Sequence, residues 1–422
     1  MKTRAVRIHG KNDLRLDEFD LPPIKEDEIL AQVVSDSICM SSYKAAKQGA
    51  EHKRVPKDIA TNPTIIGHEF SGRILEVGRK WQGKFRAGGK FSIQPALNYK
   101  GSPYAPGYSF RYVGGDATYI ILPNEVMECN CLLEYAGEGF FPASLAEPMS
   151  CIIGTFHATY HTRPGVYVHD MGIVEGGSMA ILAGAGPMGL GAIDYALHCD
   201  RRPKRVAVTD IDDGRLGRAA ALLSPIAAAK DEIELIYVNT KGMADPVKGL
   251  LDLTGGKGFD DVLVFAPVKP VVECGDRILG KDGCLNFFAG PTDPNFRAEV
   301  NFYNVHYSAA HLVGTSGGNT GDMVEALQLM SAGRINPAVM ITHIGGMDAV
   351  IPTTMNLPSI PGGKKLIYTN IEMSLAAIEE FDAKGKADPF FAKLAEITRR
   401  HKGLWSVEAE DYLLANAGKL AR

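Results

Sequence analysis

His68 and Glu69 stand side by side in Pro63-Thr64-Ile65-Ile66-Gly67-His68-Glu69-Phe70-Ser71-Gly72, with a glycine on each flank. Imidazole nitrogen and carboxylate oxygen are both good ligands for a borderline cation such as zinc. The glycines let backbone and ligand groups approach closely. Alone the pair is a weak signal, and distant partners strengthen it: Cys39 before it and Glu147 after it. Taken singly, Cys39 reads as a small core residue at a strand end, and Glu147, just before Pro148, as an acid favoured at a helix start. Taken together they offer sulfur, nitrogen and oxygen ligand atoms to a metal ion.

A second chemistry is carried by Gly184-Ala185-Gly186-Pro187-Met188-Gly189, a G-x-G-x-x-G run. The apolar segment Met179–Ala183 precedes it, a helical pattern over Met188–Leu197 follows, and Asp210 closes a second strand 21 residues after Gly189. In that setting Gly184 makes the tight turn, Gly186 leaves room for a pyrophosphate and Gly189 lets helix pack on strand. Asp210 would accept hydrogen bonds from the adenosine ribose, which favours NAD(H). Arg215 is near enough in sequence to offset that carboxylate, which leaves NADP(H) open.

These residues must be positioned by two domains, since 422 residues exceed one ordinary core. The first 150 residues read as short strands and turns, among them Val6–Ile8, Leu14–Leu16 and Ile29–Val34, with a loop lobe at 95–107. From about residue 178 the texture changes. Six apolar runs, Ala180–Ala183, Val206–Thr209, Leu235–Val238, Val262–Phe265, Leu285–Ala289 and Leu312–Gly314, alternate with helical stretches. That pattern predicts a doubly wound parallel sheet in an α/β protein. A helix is expected at Asp322–Ser331 and a strand at Lys364–Thr369. Helical spacing of Leu375, Ile378 and Phe381, then of Phe391, Leu394 and Ile397, predicts a helical C-terminal extension.

Composition narrows the partners. The chain is 45% hydrophobic and 22% charged, with a formal net charge of −4, which argues against nucleic acid or an anionic membrane. No apolar run reaches the roughly 18 residues of a membrane span. The start, Met1-Lys2-Thr3-Arg4, shows no secretory pattern, and the seven cysteines are dispersed. A reduced, cytoplasmic setting and a small-molecule substrate are therefore expected.

In these motifs the chain resembles the zinc-dependent medium-chain dehydrogenase/reductase family over about residues 1–370. The resemblance rests on Ser37–Ser42, Gly67–Gly72, Ala146-Glu147-Pro148 and the nucleotide motif with Thr209-Asp210. It implies a GroES-like, mostly β catalytic domain (1–160 plus 335–422, with the C-terminal extension) and a Rossmann domain (161–334). It implies one catalytic zinc held by Cys39, His68 and a carboxylate, in the polyol-dehydrogenase branch Glu69 or Glu147. Ser41, two residues after Cys39, is where relatives use a hydroxyl to pass the alcohol proton, with water or Glu69 beyond it. The chemistry implied is hydride transfer between a nicotinamide and a ketose or polyol, with zinc polarising the ketone.

Within the branch the chain looks most like reductases of L-sorbose 1-phosphate, which form D-glucitol 6-phosphate. A phosphorylated substrate needs cations nearby, and Lys44, Lys53 and Arg54 follow soon after Cys39. A free polyol or secondary alcohol is the alternative substrate, and a catalytically silent nucleotide sensor the alternative of another class. Departures from the family pattern fall at Met40, Ser42 and Lys44. The stretch Pro95–Val113 lacks cysteine, so no structural zinc is expected, and Tyr99, Tyr104, Tyr108, Phe110 and Tyr112 are expected to fill that lobe by packing. His157 and His161, four apart, read as one face of a helix near the cofactor. The resemblance further implies a homo-oligomer, dimer or tetramer, with Leu285–Ala289 and Leu312–Thr315 as candidate edges.

Overall fold

A computed structural model describes residues 1–420. Contacts divide the chain into two units, one of Met1–Glu147, Met323–Gly333 and Ile341–Arg422, the other of Pro148–Asp322 and Arg334–Met340.

The first unit is built on an eight-stranded sheet. Its central strand, Ile29–Ile38, pairs antiparallel with Phe70–Val77 on one side and with Lys364–Tyr368 on the other. Ile341–Gly346 lies beyond Lys364–Tyr368 and runs parallel to it. A three-stranded sheet of Asp13–Asp20, Lys2–Gly10 and Thr64–Ile65 covers the molecule's start. Ile29, Ala31, Val33, Phe70, Ile74 and Phe91 fill one buried cluster, the usual result when alternate strand positions face a core. The strand Ile29–Ile38 stops just before Cys39, which caps the helix Met40–Gln48. Strand Lys364–Tyr368 is buried along its whole length despite opening on two lysines. Successive side chains of a strand face opposite ways, so the two ammonium groups find different partners: Lys364 bonds Glu69, and Lys365 donates to the carbonyls of Ile360, Pro361 and Gly363.

The second unit carries a six-stranded parallel sheet in the order Glu234–Asn239, Arg205–Asp210, Ser178–Leu182, Phe259–Val264, Leu279–Phe287, His311–Gly314. All six runs expected from the sequence are strands of this sheet. The order reverses outward from the first strand in sequence, Ser178–Leu182, as in dinucleotide-binding folds. Of the two candidate edges, only His311–Gly314 lies at an edge; Leu279–Phe287 is paired on both sides. The expected helix at 322 is present as Thr320–Ser331.

Two expectations need correction. His157 ends the helix Ala146–Ala158, but His161 lies on the strand Tyr160–Arg163 of a separate hairpin, so they do not share a helix face. The backbone leaves the helix between them, and His161 turns to Asp261, 3.0 Å away. Leu375 precedes the two-residue strand Ala376–Ala377, so the first expected C-terminal stripe is broken; the helices are Phe381–Lys384, Pro389–Arg400 and Val407–Asn416. The extension packs on its own unit. Glu410 is buried and accepts the N–H groups of Phe140 and Phe141 and the hydroxyl of Tyr368, and the Trp405 indole N–H donates to the same hydroxyl at 2.7 Å. Among the described residues no helix is long and apolar enough to cross a membrane.

Candidate active site

Cys39, His68 and Glu69 converge in the first unit, with one ligand atom from each lying within 4.8 Å of the others. The chain reaches this arrangement through an unusual turn. Gly67 has φ +93°, and a Cβ there would strike the Asp116 backbone nitrogen at 2.6 Å. Gly107, at φ +79°, would carry its Cβ into the Gly67 carbonyl oxygen at 2.0 Å. Only glycine fits such a left-handed, close approach. The two loops therefore interlock, and the second delivers Tyr108 to the metal-ligand cluster.

Tyr108 packs as expected, buried in a cluster with Ile38, Ile66 and Ala105. Its polar end adds what the sequence did not show: the hydroxyl oxygen lies 3.0 Å from His68 Nδ1 and 3.2 Å from Nε2, with Ser41 as a further hydrogen-bond neighbour. Tyr104 is exposed, and Tyr99 donates to Glu128 at the surface. Ser42, a departure from the family pattern, is buried with Oγ 3.3 Å from His68 Nδ1.

Lys364 went unnoticed in the sequence. Its ammonium lies 2.6 Å from both carboxylate oxygens of Glu69, and both residues are buried. The signal was present as two consecutive lysines opening an apolar strand, but sequence cannot say what they meet. Behind the pair, Asp36 Oδ1 accepts the Glu69 backbone N–H at 3.2 Å and Asp116 lies beside it. Burial raises both aspartates, Asp36 well above the carboxylate range with Asp116 adding to the shift, and Asp116 to about 7.

The electrostatics suit a cation. Desolvation lowers His68 to about 4, with Lys364, Arg54 and His52 adding to the effect, so the imidazole is neutral and offers a lone pair at pH 7. Desolvation, helped by Glu69, pushes the Cys39 thiol up to about 12. A bound divalent cation reverses that tendency, because a coordinating thiol ionises outright. Desolvation opposes ionisation of Glu69, but Lys364 outweighs it and holds the carboxyl below its ordinary value. Glu147, in the first turn of helix Ala146–Ala158, is close enough to perturb Cys39, Tyr108 and Lys364. The donor set thus fits zinc: a thiol, a neutral imidazole and a carboxylate paired with Lys364 converge, and the Glu147 carboxylate is near enough to act on the same groups electrostatically.

Around Tyr108 lies a basic group. His52 stacks on its ring at 5.7 Å between centroids, and the Arg54 guanidinium sits 5.3 Å from the same ring. The Arg54 carbonyl accepts a hydrogen bond from Ser109, which fixes the loop beside Tyr108. After desolvation, Arg54, Lys53 and Lys44 are the charges that hold His52 down at about 4. The three cations singled out in the sequence are therefore gathered around one imidazole.

In the second unit the nucleotide motif has the geometry its spacing implies. Gly186 caps the helix Pro187–His198, and a Cβ on it would meet no protein atom within 4 Å. That open space in front of a helix N-terminus fits a pyrophosphate. A Cβ on Gly189 would meet the Gly184 carbonyl oxygen at 2.1 Å, so glycine is required for helix to pack on strand. Met188 lies in the helix's first turn, after Pro187. Asp210 ends its strand and accepts the N–H groups of Ile211 and Asp212 through Oδ1. Arg215 lies five residues on, with its backbone N–H capped by Asp212.

Fold and site together define a zinc- and nicotinamide-dependent oxidoreductase. The family model for the alcohol dehydrogenase GroES-like domain matches residues 25–129 and that for zinc-binding dehydrogenase residues 187–332. The chain belongs to the zinc-dependent medium-chain dehydrogenase/reductase family, in its polyol-dehydrogenase branch. It is 52% identical over 414 residues to a mannitol-1-phosphate 5-dehydrogenase of Aliivibrio fischeri, covering 98% of this chain and 97% of that one. It is 49% identical over 415 residues to an L-sorbose 1-phosphate reductase of Klebsiella pneumoniae, covering 98% of each. The solved 2R,3R-butanediol dehydrogenase of Bacillus subtilis shares the fold, with a TM-score of 0.70 at 18% identity over 87% of this chain and all of that one.

Proposed function

We propose that this protein interconverts a ketose phosphate and a polyol phosphate, with reduction of L-sorbose 1-phosphate to D-glucitol 6-phosphate as the reading to test first. The observation that carries it is the group of cations, Arg54, Lys53 and Lys44, around His52, whose ring stacks on Tyr108, and the Tyr108 hydroxyl lies 3.0 Å from His68 Nδ1. Cations beside the metal ligands suit a phosphate ester whose carbonyl lies at the metal. The names of the two relatives, both acting on six-carbon sugar or polyol phosphates, support the same class.

In this reading Cys39, His68 and Glu147 hold the zinc. Glu69, with both oxygens on Lys364, lies behind it and orients the ligand loop. Bound zinc supplies carbonyl polarisation and the nicotinamide supplies the hydride. Ser41 carries the proton to and from the substrate oxygen, and its hydrogen bond to Tyr108 extends the path. Gly184, Gly186, Pro187, Met188 and Gly189 cradle the pyrophosphate, and Asp210 selects NAD(H) by binding the ribose and repelling a 2′-phosphate. The catalytic and cofactor domains correspond to the mostly β and parallel-sheet parts of the chain, and the protein works as a cytoplasmic homo-oligomer.

The deciding measurement is oxidation of NADH and of NADPH with L-sorbose 1-phosphate, fructose phosphates and the free ketoses. Turnover with NADH and a phosphorylated ketose, at least 100-fold more efficient than with free L-sorbose, is expected. Equal efficiency with free L-sorbose removes the phosphate site. Stoichiometric zinc with no turnover on any of them removes the enzymatic reading.

A further inference from the structure

Glu147 follows directly on a buried turn. The short helix Phe141–Ser144 forms that turn, and helix Ala146–Ala158 opens just before Glu147. The turn cannot close its own start. N–H groups at a helix start have no partner within the helix. Side-chain oxygens of Ser, Thr, Asp or Asn usually accept them, but the capping residue here is Phe140, which makes no side-chain cap. The acceptor comes instead from the C-terminal extension. Glu410, on helix Val407–Asn416, takes the Phe140 N–H at 2.6 Å through Oε2 and the Phe141 N–H at 2.9 Å through Oε1. A Cβ on Gly139, at φ +67°, would meet the same Oε2 at 2.5 Å, so glycine leaves the carboxylate its place.

The rest of the turn is tied to the strands beside the other metal ligands. Ser35 Oγ, on the strand that ends before Cys39, donates to Ser144 Oγ at 3.2 Å. Ser92 Oγ donates to the Ala143 carbonyl at 2.6 Å. The strand of Ser92 pairs with Phe70–Val77, which begins just after Glu69.

Glu410 also reaches the opposite arm of the site. The Tyr368 hydroxyl donates to its Oε1 at 2.8 Å, and Tyr368 closes the strand that Lys364 opens. Lys364 in turn holds Glu69. One carboxylate therefore touches both the turn leading to Glu147 and the strand leading to Glu69. Glu410, Tyr368, Phe141 and Trp405 are all buried, so water does not compete for these bonds.

We propose that Glu410 is a positioning residue for the metal site: by fixing the start of the Phe141–Ser144 turn, the C-terminal extension sets the reach of the Glu147 carboxylate toward Cys39 and His68. The inference rests on the reading of Glu147 as a zinc ligand and adds what holds that ligand in place. Glu410 touches neither substrate nor metal; it acts through the backbone of Phe140 and Phe141.

Zinc affinity of the full chain, read by competition with a chromophoric chelator, tests it alongside the thermal midpoint. Glu410→Ala is expected to weaken zinc roughly 10-fold, the low end of what losing an orienting group costs, in protein that is folded by circular dichroism. Glu410→Gln keeps the side chain's shape and one acceptor oxygen and should lose less, which separates the missing hydrogen bonds from a misfolded extension. Glu396→Ala, which breaks an exposed ion pair on the neighbouring helix Pro389–Arg400, leaves the affinity unchanged. In the Glu147→Gln background, Glu410→Ala should change zinc affinity by no more than about 2-fold, because its effect runs through the carboxylate already removed. An equal loss in both backgrounds sends the effect by another route, and a lowered thermal midpoint with zinc affinity intact makes Glu410 purely structural. Either result overturns the inference while sparing Glu147 as a ligand. Wild-type zinc affinity in Glu147→Gln itself overturns the ligand reading and this inference with it.

Discussion

The Lys364 ammonium lies 2.6 Å from each carboxylate oxygen of Glu69, in a pocket that excludes water from both. The pair cancels one of the two carboxylate charges near Cys39. In the proposed ligand set, a zinc ion held by one thiolate, one further carboxylate and a neutral imidazole would complete an electroneutral site. Breaking a buried pair by removing one partner costs about 3–5 kcal/mol, because the other charge is left uncompensated. Lys364→Met is expected to destabilise the protein by about that amount in denaturant unfolding. The double variant Glu69→Gln/Lys364→Met should recover much of the loss, since neither buried charge remains. A double variant less stable than the single one would show that Lys364 contributes by packing instead.

The two glutamates near Cys39 should separate by metal content. Glu147→Gln removes a ligand in the proposed site and is expected to strip zinc during purification, as Cys39→Ser and His68→Ala do. Glu69→Gln removes an orienting group and should weaken zinc by roughly 10–100-fold without abolishing it. Atomic absorption after dialysis against graded chelator concentrations measures both. The reverse ranking would make Glu69 the resting ligand.

Arg54 should govern recognition of the phosphate and little else. Arg54→Met is expected to raise KM for L-sorbose 1-phosphate about 10–100-fold, the loss of a charge-assisted contact. Its kcat and its activity on free ketoses should change little. An equal loss on free and phosphorylated substrates would move the effect to the Tyr108 ring on which Arg54 packs.

Glu410 gives the C-terminal extension a pH signature. Burial raises its carboxyl to about 7, against the pull of its three hydrogen-bond donors. The folded state therefore binds the proton more tightly than the unfolded chain, whose carboxyl titrates near the ordinary 4.5. Its contribution to stability is fully present below that value and is lost as pH rises through about 7. Thermal unfolding across this interval should show a downward slope with pH that Glu410→Gln flattens. An identical slope in wild type and variant would place the titration elsewhere.

The strand, glycine turn and helix around Gly184–Gly189 were legible in the sequence because their logic is local. Gly184, Gly186, Gly189 and Asp210 stand at a turn, a helix start and a strand end, all set by spacing along the chain. The six parallel strands were legible for a similar reason, since strands buried on both faces are apolar throughout. His68 beside Glu69 marked the cluster that could hold a metal, and Cys39 was singled out by the company of the other motifs and the family resemblance, its place at a strand end alone suggesting a core residue. The sequence could not show that Glu69 is charge-paired, because Lys364 lies 295 positions from it. Tyr108 looked like one of five aromatic fillers until the interlocked turns at Gly67 and Gly107 brought it to His68. His161 was misplaced because helical spacing says nothing once the backbone leaves the helix. The cations around His52 were visible as a basic run, yet only folding sets Arg54 and the His52 ring against Tyr108. Sequence thus determined which groups are available and which elements carry them. Tertiary structure decided which charges cancel, because a pairing between distant strands leaves no periodic trace in the chain.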